Sequence, residues 1–174
     1  MSDTTETTGA PAADAHDALA EKAGQYLTFT LGGEEYGIEV LKVQEIIGMM
    51  PVTRVPQTPD YIRGVINLRG KVIPVMELRT RFALASKEDT ERTCIIVVDV
   101  AGKGDKITVG LLVDDVCEVT EITEEQLEPA PSMGAAVEDA FILGLGKMGR
   151  NVVMLLDVDK IFEGCTAALM ANAL

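Results

Sequence analysis

The sequence predicts an all-β protein, built as paired barrels or a sandwich, and three observations carry that prediction. Short apolar runs recur along the chain, glycine turns separate them, and neither long helical periods nor a strand–helix–strand alternation is present. At 174 residues the chain has room for one compact unit or two small, closely packed subdomains.

Taken in order, residues 1–22 are rich in Thr, Ala and Asp and show no period-two pattern. They are expected to form a flexible tail over 1–23, with a frayed helical turn within 12–22. From Gln25 the character changes: Leu27, Phe29 and Leu31 alternate with Thr28 and Thr30, the signature of a half-buried strand. Gly32-Gly33 is then a two-residue hairpin turn leading into residues 34–38. Residues 40–47 fit either a short helical turn running into a strand or neither period cleanly.

Pro51, Pro56 and Pro59 impose an irregular, extended connection, because each removes a backbone donor and disfavours helix before it. A second hairpin is predicted over 61–76, with Arg69-Gly70 at its tip. Pro74 lacks a ladder N–H, which places its strand at an edge or turns the missing donor outward. Residues 77–82 are long enough for one or two helical turns, and the polar link 86–92 suggests a subdomain boundary near 83–92.

Residues 93–100 and 105–119 read as two strands around the Gly102-Lys103-Gly104 turn. Thr123-Glu124-Glu125-Gln126 spells a capping box and predicts a single helical turn, ended by Pro129 and Pro131. Residues 132–139 read as a loop, and 141–145 and 151–156 as a hairpin. Asp157 or Asp159 is placed to cap a C-terminal helix over 160–174, although Gly164 weakens its middle by about 1 kcal/mol. No repeat of fixed period is evident.

The formal net charge is −13, which argues against DNA or RNA as a partner, because phosphate backbones are held by clustered Lys and Arg. The charge is uneven: residues 23–82 hold six acids and seven bases, whereas 83–151 hold fourteen acids and six bases. Two faces with different electrostatic partners, or simply a solvated acidic surface, follow from that split. No apolar run approaches the roughly 20 residues of a membrane span, and residues 1–21 lack the basic and apolar regions of a signal peptide, so a cytoplasmic protein is expected. Cys94, Cys117 and Cys165 are odd in number and far apart, which suits reduced thiols packed as small hydrophobes.

Reactive chemistry is hard to assemble from this chain. Its single histidine, His16, lies in the expected tail, and no CxxC, HxxxH or EF-hand order occurs, so neither a general base nor a metal or other cofactor is expected. Gly144-Leu145-Gly146-Lys147-Met148-Gly149 spells the dinucleotide fingerprint. A strand pattern follows it where a helix N-terminus would have to receive the phosphates, so it reads as a glycine-rich hairpin. The acids Asp114, Asp115, Glu118, Glu121, Glu124, Glu125 and Glu128 read as a solvated face, since the chain has no Trp and few aromatics to line a sugar cleft.

Several blocks carry a family resemblance in order along the chain. They are Tyr26-Leu27-Thr28-Phe29-Thr30-Leu31-Gly32 with Glu34-Glu35-Tyr36-Gly37-Ile38; Leu41-Lys42-Val43-Gln44-Glu45-Ile46; Ile62-Arg63-Gly64-Val65-Ile66-Asn67-Leu68-Arg69-Gly70; Val72-Ile73-Pro74-Val75 with Leu78-Arg79; and Leu143-Gly144-Leu145-Gly146. Over about residues 25–162 the chain resembles the CheW coupling proteins of bacterial chemotaxis, Glu77 standing where that family often has Asp.

The resemblance implies two interleaved five-stranded, SH3-like β-barrels with a hydrophobic core between them, short helices and a C-terminal helix. The expected domain covers 24–163, with one subdomain of about 24–85 plus part of the C-terminal segment, a second of about 90–150, and a helix or tail over 164–174. It implies a non-catalytic adapter with two partners: the regulatory domain of the histidine kinase CheA and the cytoplasmic tip of methyl-accepting chemoreceptors. Such a protein is cytoplasmic and recruited to receptor arrays without entering the membrane.

Carried over by position, Val43, Gln44, Glu45 and Ile46 together with Gly64, Asn67, Leu68 and Arg69 match the family's receptor and kinase contact region. The resemblance implies an ion pair between Glu45 and Arg69, which would fix the hairpin tip through a guanidinium fork. It makes Val43, Ile46 and Leu68 candidates for an apolar groove that accepts a helix, and Gly64 a site of close backbone approach or special dihedrals. The alternative reading is a β-barrel binding module of another signalling pathway; an enzyme using a cysteine nucleophile lacks an ordered histidine to activate it.

Overall fold

The computed structural model describes residues 20–85, 88–101, 106–129 and 141–162. The expectations for the tail with His16, the Gly102-Lys103-Gly104 turn, the loop 132–139, Cys165 and the helix beyond residue 162 lie outside the described residues.

Eleven strands are present among the described residues: β1 (Gly24–Leu31), β2 (Glu34–Glu39), β3 (Val43–Gly48), β4 (Ile62–Leu68), β5 (Lys71–Glu77), β6 (Cys94–Ala101), β7 (Lys106–Val113), β8 (Asp115–Ile122), β9 (Leu127–Glu128), β10 (Ile142–Met148) and β11 (Asn151–Leu156). Two short α-helices, α1 (Leu78–Arg81) and α2 (Val158–Phe162), follow β5 and β11, and 3₁₀ turns occupy Val40–Lys42 and Glu124–Gln126. The stretch that periodicity left open is thus a 3₁₀ turn running into β3. The Thr123–Gln126 capping box forms as its spelling predicts.

The strands form two sheets, in the orders β8-β1-β2-β11-β10-β9 and β3-β6-β7-β5-β4. In each, the strand at one end continues into a segment that pairs with the other end. Beyond β3, Thr53 exchanges two 2.8 Å backbone hydrogen bonds with Val65 of β4. Beyond β8, the 3₁₀ turn leads to β9, which pairs with β10. Each sheet therefore has a bent segment that joins its two ends, and the two interleaved β units expected from the resemblance are sheets of six and five strands.

The barrels are interleaved. The β1–β2 hairpin belongs to the first barrel, yet the next strand, β3, crosses to pair with β6. The β6–β7 hairpin belongs to the second, yet β8 crosses back to pair with β1. Residues 83–92 lie between α1 and β6, and strands from both sides of them share a sheet. β5 lies inside its sheet, so of the two placements Pro74 left open the edge is not the one taken. Its ladder with β7 begins only at Val75, one residue past the proline, so the missing N–H removes no bond from it.

A duplication underlies this arrangement. β4–β5–α1 and β10–β11–α2 are the same unit: Ile62 answers to Ile142, Gly64 to Gly144 and Phe82 to Phe162. Both hairpins carry the same register shift, between Ile62 and Gly64 and between Ile142 and Gly144. Each second strand runs parallel to a hairpin strand, β5 to β7 and β11 to β2. The repeat that the sequence does not display is present in three dimensions, kept by pattern with few identities.

Three apolar clusters result. Ile66, Ile73, Val75, Ile95, Val97 and Leu112 fill the second barrel, and Tyr26, Ile122, Leu127, Val153 and Leu155 fill the first. The largest lies between the barrels, with Phe29, Tyr36, Phe82 and Phe141 in a row at centroid separations of 5.9, 5.8 and 6.1 Å. β6 shows why its run is continuously apolar: Ile95 and Val97 point into their barrel, while Ile96, Val98 and Val100 point into the shared core. Each such fully buried side chain contributes about 1.5–3 kcal/mol relative to exposure.

Two clamps tie the duplicated units to the crossing segments. Arg79 of α1 makes a bidentate pair with Asp114, at 2.7 and 2.5 Å, just before β8; Asp114 also accepts the Gly32 N–H at 3.0 Å. At the equivalent place on α2 stands Asp159. It pairs with Lys42 at 2.9 Å, just before β3, and accepts the Ala101 N–H at 2.9 Å.

Candidate functional site

β3 is an end strand with one ladder partner, so its outer edge carries the residues singled out by the sequence. Its register with β6 pairs Val43 with Val98, Glu45 with Val97, Ile46 with Ile96 and Ile47 with Ile95. The irregularity between Val43 and Glu45 leaves Gln44 as the extra residue. Without it Val43 and Ile46 would face opposite ways. With it both lie on the side of Val98 and Ile96, where the two barrels meet, while Glu45 and Ile47 turn to the mouth of the second barrel.

The β4–β5 hairpin brings its tip to that mouth. Arg69 and Gly70 have φ of 52° and 85°, the two-residue turn geometry that matches strand twist, and the Asn67 side-chain oxygen accepts the Gly70 N–H at 2.9 Å. The tip projects the Arg69 guanidinium onto the Glu45 carboxylate, with which it forms a hydrogen-bonded ion pair. β3 and β4 are the two ends of one sheet, so this pair spans the barrel's seam. Arg69 remains 70% exposed and Glu45 28% exposed.

The structure separates the other candidates. Ile46 is 45% exposed, whereas Val43 is partly buried against the core between the barrels. Leu68 is partly buried too, but against the interior of the second barrel, with Ile47, Met49, Met50 and Val52. Val43 and Ile46 therefore share one apolar face, and Leu68 belongs to the barrel mouth. Gly64 is buried beneath the seam: a Cβ there would lie 2.2 Å from the Thr53 carbonyl oxygen.

Two features escape the sequence reading. A polar row crosses the sheet from β3 to β5. Gln44 donates to Asp99 at 2.5 Å, Thr108 donates to Asp99 at 3.0 Å, and Lys71 donates to Thr108 at 3.0 Å. No local motif announces it, since its members come from four strands. Val72, opposite Asn67, is 62% exposed beside the tip. Its alternation with buried Ile73 and Val75 is the signal that could have placed it outside.

The remaining sequence features take structural roles. The glycine fingerprint is β10 and its turn, followed by β11, which offers no helix N-terminus to a phosphate. The acidic stretch is divided: Asp114 holds Arg79, Asp115 holds Arg92 and Glu128 holds Lys147, while Glu118, Glu121, Glu124 and Glu125 are exposed. Cys94 is half-buried, but Cys117 is exposed on β8 and does not pack as a small hydrophobe. It lies in the irregularity of the β1–β8 pairing, between Val116, opposite Phe29, and Val119, opposite Leu27.

Burial first, then neighbouring acids, push both thiols above the ordinary cysteine value: Asp115 acts on each, and Glu35 and Glu118 act on Cys117. Neither is an activated nucleophile. Among the described residues no group of three or more His, Cys, Asp or Glu is gathered for a metal, and no helix is long and apolar enough to cross a membrane.

Known proteins share this arrangement. Residues 25–165 match the model of the CheW-like domain. The chain is 42% identical to the chemotaxis protein CheW of Klebsiella aerogenes over 153 residues, covering 87% of this chain and 90% of that one. It is 34% identical to the chemotaxis protein CheW of Helicobacter pylori, over 82% and 84% of the two chains. The crystal structure of the scaffolding protein TtCheW from Thermoanaerobacter tengcongensis superposes with a TM-score of 0.73 at 33% identity, over 80% of this chain and 88% of that one.

Proposed function

The chain belongs to the CheW-like family, and from that premise we propose that it is a non-catalytic adapter coupling methyl-accepting chemoreceptors to the histidine kinase CheA. Its place in chemotaxis signalling is that of a scaffold. The observation that carries the finer reading is the seam where Glu45 of β3 meets Arg69 of the β4–β5 tip, beside the apolar face of Val43 and Ile46.

The seam supplies what a helix-docking surface needs. Val43 and Ile46 offer apolar area at the junction of the barrels, suited to a receptor helix with anchors at helical spacing. The exposed Arg69–Glu45 pair and Asn67 form a polar rim that fixes orientation. The opposite barrel remains available to a second protein, so receptor and kinase are held together and each raises the effective concentration of the other. Passing a signal requires that the adapter contact its partners differently in their active and inactive states. In this reading the protein works in the cytoplasm and is recruited to receptor arrays.

The test is a reconstituted phosphorylation assay with CheA and a receptor cytoplasmic fragment. Receptor control of the kinase is expected only when this protein is present. Kinase control that is the same without it would overturn the reading.

A further inference from the structure

We propose that Asp159 is a positioning residue for the docking strand: by holding Lys42 and the Ala101 amide at once, it fixes where β3 begins and so where Val43, Glu45 and Ile46 are presented. The proposal rests on the reading of β3 as a docking strand.

The geometry leads there from three sides. Lys42 ends the 3₁₀ turn Val40–Lys42 and directly precedes Val43. β3 crosses from one barrel to the other at this point and has a ladder partner on one side only, so its first residues depend on whatever holds the turn. The Asp159 carboxylate uses one oxygen for the Lys42 ammonium and the other for the N–H of Ala101, the last residue of β6. A single side chain of α2 therefore ties the start of β3 to the end of its ladder neighbour.

The duplicated unit supplies a comparison within the same molecule. Arg79 stands at the position of Asp159 and clamps Asp114 at the start of the other crossing strand, β8, with the charges reversed. Again one carboxylate takes the cation and a turn amide together, here that of Gly32. The Arg79–Asp114 pair is more enclosed, at 13% and 18% side-chain exposure against 34% for both Lys42 and Asp159. The clamp on β3 is the more exposed and therefore the weaker of the two, so cutting it is expected to loosen the start of β3 locally without unfolding the protein.

The test uses the full chain and two readouts. Asp159→Asn keeps an oxygen for Ala101 but removes the charge, and Lys42→Met removes the ammonium. Both are expected to speed hydrogen exchange of the β3 amides by roughly 5-fold, leaving β8 amides unchanged, as for loss of one partly exposed ion pair. Lys42→Arg is expected to keep wild-type protection. Asp114→Asn is the converse control and is expected to speed exchange in β8 without affecting β3.

Binding to a receptor cytoplasmic fragment and to the kinase regulatory domain is then measured for the same variants. Weaker binding of one partner by Asp159→Asn and Lys42→Met, with Lys42→Arg normal, supports the proposal. Unchanged exchange in β3, or acceleration spread over all strands, overturns the clamp. Looser β3 with unchanged binding overturns its link to docking, and wild-type protein that binds neither partner points instead to failure of the coupling reading.

Discussion

The carbonyl oxygen of Thr53 sits where a side chain on Gly64 would begin, 2.2 Å from the Cβ that any other residue would add. Gly64 also has φ of 149°, and its neighbour Val65 makes the two hydrogen bonds that close the barrel onto Thr53. Gly64→Ala is thus expected to strain the backbone and push the seam apart, costing about 3 kcal/mol. In a chain of this size that lowers Tm by on the order of 10 °C. Gly70→Ala is the comparison, because φ there is 85° but open space surrounds it, and a cost of about 1 kcal/mol is expected. Thermal unfolding of the two variants checks the difference, and equal losses would contradict the steric account.

Arg69→Glu sets two like charges at the seam without touching the core. Exposed ion pairs contribute about 0–1 kcal/mol, so the variant is expected to unfold within a few degrees of wild type. Receptor-dependent stimulation of the kinase is expected to be lost. Combining it with Glu45→Arg restores the pairing with its polarity exchanged. Recovery of stimulation by the double variant would show that the pair orients the hairpin tip, whereas continued loss would show that the Arg69 charge itself meets a partner.

Local pattern was enough for most strands, because a strand's alternation is written in adjacent residues, as with Val72 out and Ile73 in; in β1 it placed Leu27, Phe29 and Leu31 inward but missed that Thr28 is buried too, its hydroxyl donating to the Glu118 carbonyl. Two-residue turns at Gly32-Gly33 and Arg69-Gly70 were legible for the same reason. What adjacency does not encode is the exchange of β3 and β8 between barrels, which is decided by pairings across the whole chain. The duplication was hidden because its two copies share burial pattern more than residue identity, Arg79 even standing where the second copy has the opposite charge, Asp159. At the site, the resemblance led to Glu45 and Arg69, but the shared face of Val43 and Ile46, apart from Leu68, depends on the irregularity at Gln44, and one extra residue in a strand leaves no reliable mark in sequence.

The two described thiols differ in access but share an acidic setting. Cys117 is exposed and Cys94 half-buried, and burial with nearby carboxylates raises both above the ordinary thiol value. Alkylation at neutral pH is expected to be slower at both than for a free cysteine, with Cys117 reacting first and its rate still climbing above about pH 9. Cys94→Ser and Cys117→Ser are expected to leave receptor control of the kinase unchanged. Mass-resolved labelling over a pH series checks the order, and a rapid thiol at pH 7 would contradict it.

Asp159 makes stability depend on acid in a definite direction. Burial by itself opposes its charge, but the Ala101 N–H and the Lys42 ammonium outweigh that and hold the carboxyl below its ordinary value. On the Lys42 side the Asp159 hydrogen bond leads, desolvation opposes it, and Asp159, Glu39 and Asp157 add attraction, so the ammonium is held above its ordinary value. A carboxyl lowered in the folded state stabilises it fully above the unfolded value of about 4 and ceases to do so as pH falls through the folded one. An ammonium raised in the folded state keeps its contribution until pH climbs past about 10. The stability difference between wild type and Asp159→Asn is therefore expected to be constant from about pH 5 to 9 and to shrink below about pH 4. Urea unfolding midpoints across that range measure it, and a difference that widened toward acid would mean that Asp159 is not held as the anion.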